Sequence, residues 1–203
     1  QIAQDARWPD DAIVVNVQGD EPLMPPALIR QCAELLAQDA GAQIATLCHP
    51  LHLIEDWLNP SIVKLVKDNR DYALYFSRAP IPWKRDGGVG GTVSSRSEVG
   101  ADADPGAPSR THLASLGHRV GGTPQLPAGL AYRHIGLYAY RVAALATFSS
   151  LPGGDLENCE ALEQLRALSA GLRIKVGVTH NPPPRGIDTE EDLKAVREIL
   201  QST

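Results

Sequence analysis

Apolar positions along the chain follow two rhythms, short continuous or alternating runs and the i, i+3, i+4 spacing of a helix, and the two rhythms take turns. Ile13, Val14, Val15 and Val17 form a β-branched run of the kind that fills a buried parallel strand. The run breaks at Gly19, and Pro22 forbids extension of its ladder. Leu28, Ile29, Cys32, Ala33, Leu35 and Leu36 then recur at helical spacing, behind Pro25 and Pro26 at the first turn and ahead of Gly41 as a stop. Ile44–Cys48 predicts a strand, and Glu55–Leu58 a helical turn ending before Pro60. Ser61–Val66 and Tyr72–Ser77 flank a polar turn at 67–71 and predict a β-hairpin.

Further along, Ile135, Leu137 and Ala139 alternate with Tyr138 and Tyr140, the pattern of a half-buried strand. Val142–Phe148 reads as a helical turn. Leu156–Ala170 predicts one helix, begun at Asp155 or a neighbour. Its core face carries Ala161, Leu162, Leu165 and Leu168, and Gly171 follows it. On one such helix Glu160 and Gln164 share a face. Ile174–Val178 predicts a strand, and Thr189 with Asp192 a capping-box start for a last helix through Leu193, Val196, Ile199 and Leu200. Gln1–Pro9 reads as the tail of a helix. Strands alternating with helices predict an α/β fold with a mixed sheet.

Residues 87–129 break both rhythms. Gly, Ser, Pro and Ala dominate there, and such a segment buries too little surface to offset its ordering entropy. It is expected to be a flexible loop, a tolerated surface segment more readily than a lid or partner-binding loop, with no role for His112, His118 or Arg119. The 203 residues otherwise suit a single domain.

Composition narrows the function classes. A net charge of -5 argues against nucleic-acid binding driven by counterion release. Cys32, Cys48 and Cys159 share no metal-type spacing and are odd in number, which favours a reduced, cytoplasmic compartment. Cys159 has no evident His partner and reads as a small core residue. No apolar run approaches the ~20 residues that cross a bilayer, so no membrane association is expected.

Candidate chemistry begins at Gly19-Asp20. In an open α/β sheet, ligands gather beyond the carboxyl ends of strands, and a carboxylate delivered there beside a glycine can hold Mg2+ against phosphates. An ordinary turn with a solvated acid is the plain alternative. Four more blocks join this one: Val14-Val-Asn-Val-Gln-Gly-Asp-Glu-Pro22 is followed by Tyr75-Phe-Ser-Arg-Ala-Pro-Ile-Pro-Trp83, Arg133-His-Ile-Gly-Leu-Tyr-Ala-Tyr-Arg141, Leu162-Glu-Gln-Leu-Arg166 and Gly186-Ile-Asp-Thr-Glu-Glu-Asp-Leu193. In this order they resemble the 3-deoxy-manno-octulosonate cytidylyltransferases, or CMP-Kdo synthetases.

That resemblance implies a three-layer, nucleotide-diphospho-sugar-transferase-like (Rossmann-like) mixed sheet with a small sugar-binding and dimerisation subdomain, and, the family's connection being much shorter, it makes the 87–129 loop an insertion. It implies CTP and Kdo as substrates, CMP-Kdo and pyrophosphate as products for lipopolysaccharide synthesis, and a homodimer. Asp20 and Asp188 match the catalytic, Mg2+-binding pair. Gln18, Arg78, Arg133, Glu160 and Gln164 match substrate-binding positions, the arginines being suited to a planar carboxylate. Plain roles stand beside each: a helix cap for Asp188, surface ion pairs for the arginines. His134 reads as a hydrogen-bonded structural residue more readily than as a base. Asn158 departs from the family, which often has another polar or basic residue there, and Glu163 falls on a neighbouring face.

The family's Gly/Arg/Lys loop for the triphosphate has no match in this sequence, so the chain is expected to be N-terminally incomplete. Two alternatives stay open: a catalytically incomplete fragment that binds sugar acid or self-associates, and a cytidylyltransferase for another acid sugar such as a sialic acid.

Overall fold

The computed structural model describes residues 2–19, 21–84, 124–183, 186–187 and 190–201. Strand β5 (Tyr132–Arg141) is the axis of one mixed sheet. Strand β1 (Ile13–Val17) runs antiparallel to its C-terminal half, with Ile13 opposite Arg141 and Val17 opposite Leu137. Strand β2 (Ile44–Pro50) lies antiparallel along the other edge of β5. The hairpin of β3 (Lys64–Lys67) and β4 (Ala73–Ser77) joins β5 through Lys64 and Leu65, opposite Arg133 and Tyr132. Strand β6 (Ile174–Val178) runs parallel to β2, and the order is β4-β3-β5-β2-β6 with β1 also on β5.

The helices are α1 (Ile2–Asp5), α2 (Pro26–Ala37), α3 (Ile54–Leu58), α4 (Val142–Ser150), α5 (Asp155–Glu160), α6 (Gln164–Ser169) and α7 (Glu190–Gln201). The two sides of the sheet carry separate clusters. On one, Leu28, Cys32 and Leu36 of α2 meet Ile135, Leu137 and Ala139. On the other, Leu162, Leu165 and Ala167 meet Tyr138, Tyr140 and Phe76. Each fully buried Leu contributes about 1.5–3 kcal/mol. A third cluster sets Trp57 of α3 against Leu51 and Ala131.

Several expectations are corrected. The β1 run is half-buried and antiparallel to its neighbour rather than a buried parallel strand; a β-branched run encodes extended backbone but not the direction of its partner. Strand β5 is covered on both sides, with Leu137, Tyr138, Ala139 and Tyr140 all buried, because helices pack on each face. The helix expected over 156–170 is two helices separated by Ala161, whose φ is +51°. Ala161 and Cys159 are exposed rather than in the core, and Glu160 and Gln164 therefore share no helix face. The insertion expected at 87–129 falls, through residue 123, outside the described residues, as do Thr189 and the side chain of Asp192.

Candidate active site

A cavity of about 710 Å³ opens where β5, the hairpin and the α5–α6 break meet. Its floor is β5, which presents Arg133, His134, Gly136 and Tyr138. Gly136 and Leu137 have no register partner on β2, where Thr46 faces Tyr138 and Leu47 faces Ile135. Such irregularities re-aim side chains beside functional sites. One wall is the loop before β3 (Asn59, Ser61, Ile62 and Val63) with Arg78 just after β4; the facing wall runs from Ala161 to Gln164. Gln18, Glu21 and Gly186 complete the rim.

Arg78 is fixed at three atoms. Its backbone N–H donates to Glu160 Oε2 at 2.9 Å, its Nε donates to the Glu160 carbonyl at 2.8 Å, and Nη1 donates to the Pro60 carbonyl at 3.2 Å. Glu160 also accepts from Ser77 Oγ at 2.6 Å. Burial alone would raise the Glu160 pKa, but the bonds from Ser77, the Arg78 amide and Tyr75, with the Arg78 charge, hold it below the ordinary carboxylate value. The α5–α6 break is braced by Arg166, which donates to Glu157 through Nε at 2.8 Å and again through Nη2.

His134 Nε2 lies 2.9 Å from Thr46 Oγ1, whose single proton goes to the Leu137 carbonyl at 2.8 Å. The network therefore assigns the Nε2–H tautomer, with Thr46 as acceptor, and leaves Nδ1 as an acceptor. Burial, reinforced by the Arg133 charge, pushes the imidazole pKa down to about 3. His134 is thus neutral at pH 7, and too weak a base to deprotonate a hydroxyl efficiently. Tyr138, also on the cavity, has a buried hydroxyl with no hydrogen-bond partner among the described residues. Burial first, then the neighbouring Tyr140, Glu163 and Cys32, raise its pKa well above the ordinary phenol value, so the phenol stays an O–H donor. Gln164 is only 7% exposed and faces the same space.

Of the residues singled out in the sequence, Gln18, Arg78, Arg133 and Gln164 line this one cavity. Glu160 does not; its carboxylate holds the wall from behind. Asp20 and Asp188 lie outside the described residues, although Glu21 and Gly186, close to them in sequence, both line the cavity. Sequence reasoning missed Tyr138, seen only as part of an alternation, and the 59–63 loop. It also missed Lys64, although a lysine between Ile62-Val63 and Leu65-Val66 is itself a signal of a buried charge with a task.

The sequence model of the cytidylyltransferase family matches residues 2–174. The chain belongs to the cytidylyltransferase family. Within it, the chain is 43% identical over 202 residues to the 3-deoxy-manno-octulosonate cytidylyltransferase of Thioalkalivibrio sulfidiphilus, covering 100% of this chain and 68% of that protein. It is 46% identical over 194 residues to the protein of the same name from Halorhodospira halophila, covering 96% and 64% respectively. A solved structure of CMP:2-keto-3-deoxy-manno-octonic acid synthetase complexed with CTP superposes with a TM-score of 0.70 at 29% identity, covering 99% of this chain and 66% of that one. The chain thus spans about two thirds of the length of these cytidylyltransferases. The shared fold is the mixed α/β sheet described above.

Proposed function

We propose that this cytidylyltransferase transfers CMP from CTP to 3-deoxy-manno-octulosonate, giving CMP-Kdo and pyrophosphate for lipopolysaccharide synthesis. The observation that carries the reading is the single cavity that collects two arginines and several hydroxyl-reading groups. Arg78 and Arg133 supply positive charge for a sugar carboxylate. Tyr138 offers a donor, His134 Nδ1 an acceptor, and Gln164 and Glu163 further partners for hydroxyls. Gln18, on the rim beside Gly136, adds an amide for the sugar or the base.

In the reaction the anomeric 2-hydroxyl oxygen bonds to the α-phosphorus of CTP, the bond from that phosphorus to the bridging oxygen breaks, and pyrophosphate leaves. The hydroxyl proton passes to solvent. Alignment and charge neutralisation dominate such transfers. Asp20 and Asp188 would hold Mg2+, which, when bound, neutralises charge on the triphosphate. Two carboxylates suit a cation that keeps water and phosphate oxygens as its other ligands, and Glu21 and Gly186 on the rim support this assignment.

A homodimer and a cytoplasmic location belong to the same reading. Among the described residues no helix is long and apolar enough to cross a membrane, and the three cysteines are unpaired. Light scattering tests the dimer, and a monomer at micromolar concentration would count against it.

The decisive experiment supplies CTP, Kdo and Mg2+ and measures pyrophosphate release and Kdo binding. Release expected from the unsubstituted protein is lost in Asp20→Ala and Asp188→Ala. Wild-type rates in either variant would overturn the metal assignment. Turnover with a sialic acid but not with Kdo would move the substrate, and Kdo binding without release would leave a sugar-binding chain.

A further inference from the structure

Of the charged side chains among the described residues, Lys64 is the one the fold buries, with 0% exposure. Its ammonium has three protons, and each has an acceptor: the carbonyls of Asn59 at 2.7 Å, Ile62 at 2.6 Å and Arg78 at 2.6 Å. Asn59 and Ile62 belong to the loop before β3, and Arg78 follows β4. All three line the cavity, whereas Lys64 does not. The lysine therefore gathers, from behind, the backbone of two segments whose other sides meet the ligand space.

Filling this place with an ammonium is costly, and an apolar side chain of similar size would avoid the desolvation. Such a side chain could not hold three carbonyls at one point. Arg78 is held from the opposite direction as well, because its backbone N–H donates to Glu160 Oε2. Burial lowers the Lys64 pKa, and the nearby Glu160 charge counters that while Arg78 adds to it.

We propose that Lys64 is a positioning residue of the sugar-acid cavity: its ammonium ties the 59–63 loop to the backbone of Arg78 and so fixes where that arginine meets the sugar carboxylate. The proposal rests on the sugar-acid reading above. It assigns Lys64 no contact with substrate.

Kdo affinity, measured by calorimetry on the unsubstituted chain, Lys64→Met, Lys64→Arg and Leu36→Ala, tests it. Lys64→Met is expected to weaken Kdo binding about tenfold or more, the equivalent of losing one strong contact. Lys64→Arg keeps the charge but spreads its donors over a planar fork too large for a fully buried site, so it should also weaken binding, by about threefold or more. Leu36→Ala lowers thermal stability from the far side of the sheet and should leave affinity unchanged, which separates positioning from general destabilisation. Folded Lys64→Met that binds Kdo within about twofold of the unsubstituted chain would overturn the proposal alone. Absence of Kdo binding by the unsubstituted chain would remove the sugar-acid reading, and this proposal with it.

Should Lys64→Met not fold, the side-chain ammonium signals of the unsubstituted chain decide. On saturation with Kdo the Lys64 15N signal is expected to shift while those of Lys67 and Lys175 stay in place. An unmoved Lys64 signal at saturation would overturn the proposal.

Discussion

Glu160 and Arg78 are joined in both directions: the Arg78 backbone N–H donates to the Glu160 carboxylate at 2.9 Å, and the Arg78 Nε donates to the Glu160 carbonyl at 2.8 Å. The first bond fixes the backbone at the end of β4, and the second fixes the guanidinium over the end of α5. A carboxylate so engaged is a brace for the cavity wall. Glu160→Ala removes the acceptor of both Ser77 Oγ and the Arg78 amide. Charge-assisted bonds of this kind contribute about 1.5–3 kcal/mol. The variant should lose about 2 kcal/mol, a fall in Tm of roughly 4–8 °C for a chain of this size. An unchanged Tm in a calorimetric scan would mean that these bonds do not brace the fold.

The same brace has a pH signature. The folded Glu160 pKa lies below the ordinary value, so the unfolded chain takes up its proton first as pH falls. Its stabilisation is complete above the ordinary carboxylate pKa and is lost as pH drops through the folded value. Glu160→Gln should therefore be less stable than the unsubstituted chain at pH 7 in urea titrations, with the gap closing towards pH 3. A gap that persists undiminished would assign the loss to packing rather than charge.

His134 contributes in a different window. Its folded pKa of about 3 lies below the unfolded 6.5, so the unfolded state binds the extra proton between those values. Stability conferred by keeping the imidazole neutral is present above pH 6.5 and declines as pH falls through that interval. The slope attributable to one proton approaches about 1 kcal/mol per pH unit between pH 6 and 5, above the range where carboxylates titrate. Urea melts of His134→Gln should lack this component. An identical slope in the variant would place the uptake elsewhere.

The pattern of elements was legible in the sequence where one element's own residues decide it. The helix of Leu28, Cys32 and Leu36, the hairpin around 67–71 and the β6 strand all carry their signal locally. Strand direction was not legible for β1, because Ile13–Val17 suits a parallel or an antiparallel partner equally and that partner, β5, lies more than a hundred residues away. The break at Ala161 escaped for a related reason. The local helical rhythm through 156–170 is overridden by Glu160 bonding to Ser77 and Arg78 on a different element. Candidate site residues on strand ends and short motifs, Gln18, Arg78, Arg133 and Gln164, came out on one cavity, whereas Tyr138 and Lys64 gain meaning only from what surrounds them.

Gly136 is a position where the sequence spacing says little and the fold says much. A Cβ there would overlap Gln18 Oε1, so the glycine allows the Gln18 side chain to lie across β5 at the cavity rim. Gly136→Ala should displace Gln18 and lower pyrophosphate release with CTP and Kdo by about tenfold, a loss of one well-placed hydrogen bond of roughly 1.4 kcal/mol. The double variant with Gln18→Ala has no side chain to displace, so it should be no worse than Gln18→Ala alone. Additive losses in that cycle would mean that the two residues act independently.

Ala161 offers a test whose sign depends on the fold. It adopts φ +51° and ψ +50° at the end of α5, a left-handed conformation that costs a non-glycine residue about 1–2 kcal/mol. Glycine takes that conformation without strain but loses more freedom on folding. Ala161→Gly should therefore raise stability by about 0.5–1 kcal/mol, a gain in Tm of roughly 1–4 °C. Within the continuous helix that the sequence suggests, the same change would lower stability by about 1 kcal/mol. Ala161→Val, β-branched and poorly suited to positive φ, should destabilise in either case but more strongly at the break. A calorimetric Tm for the glycine variant therefore reports directly on whether the wall of the cavity is a turn held by Glu160 or an uninterrupted helix.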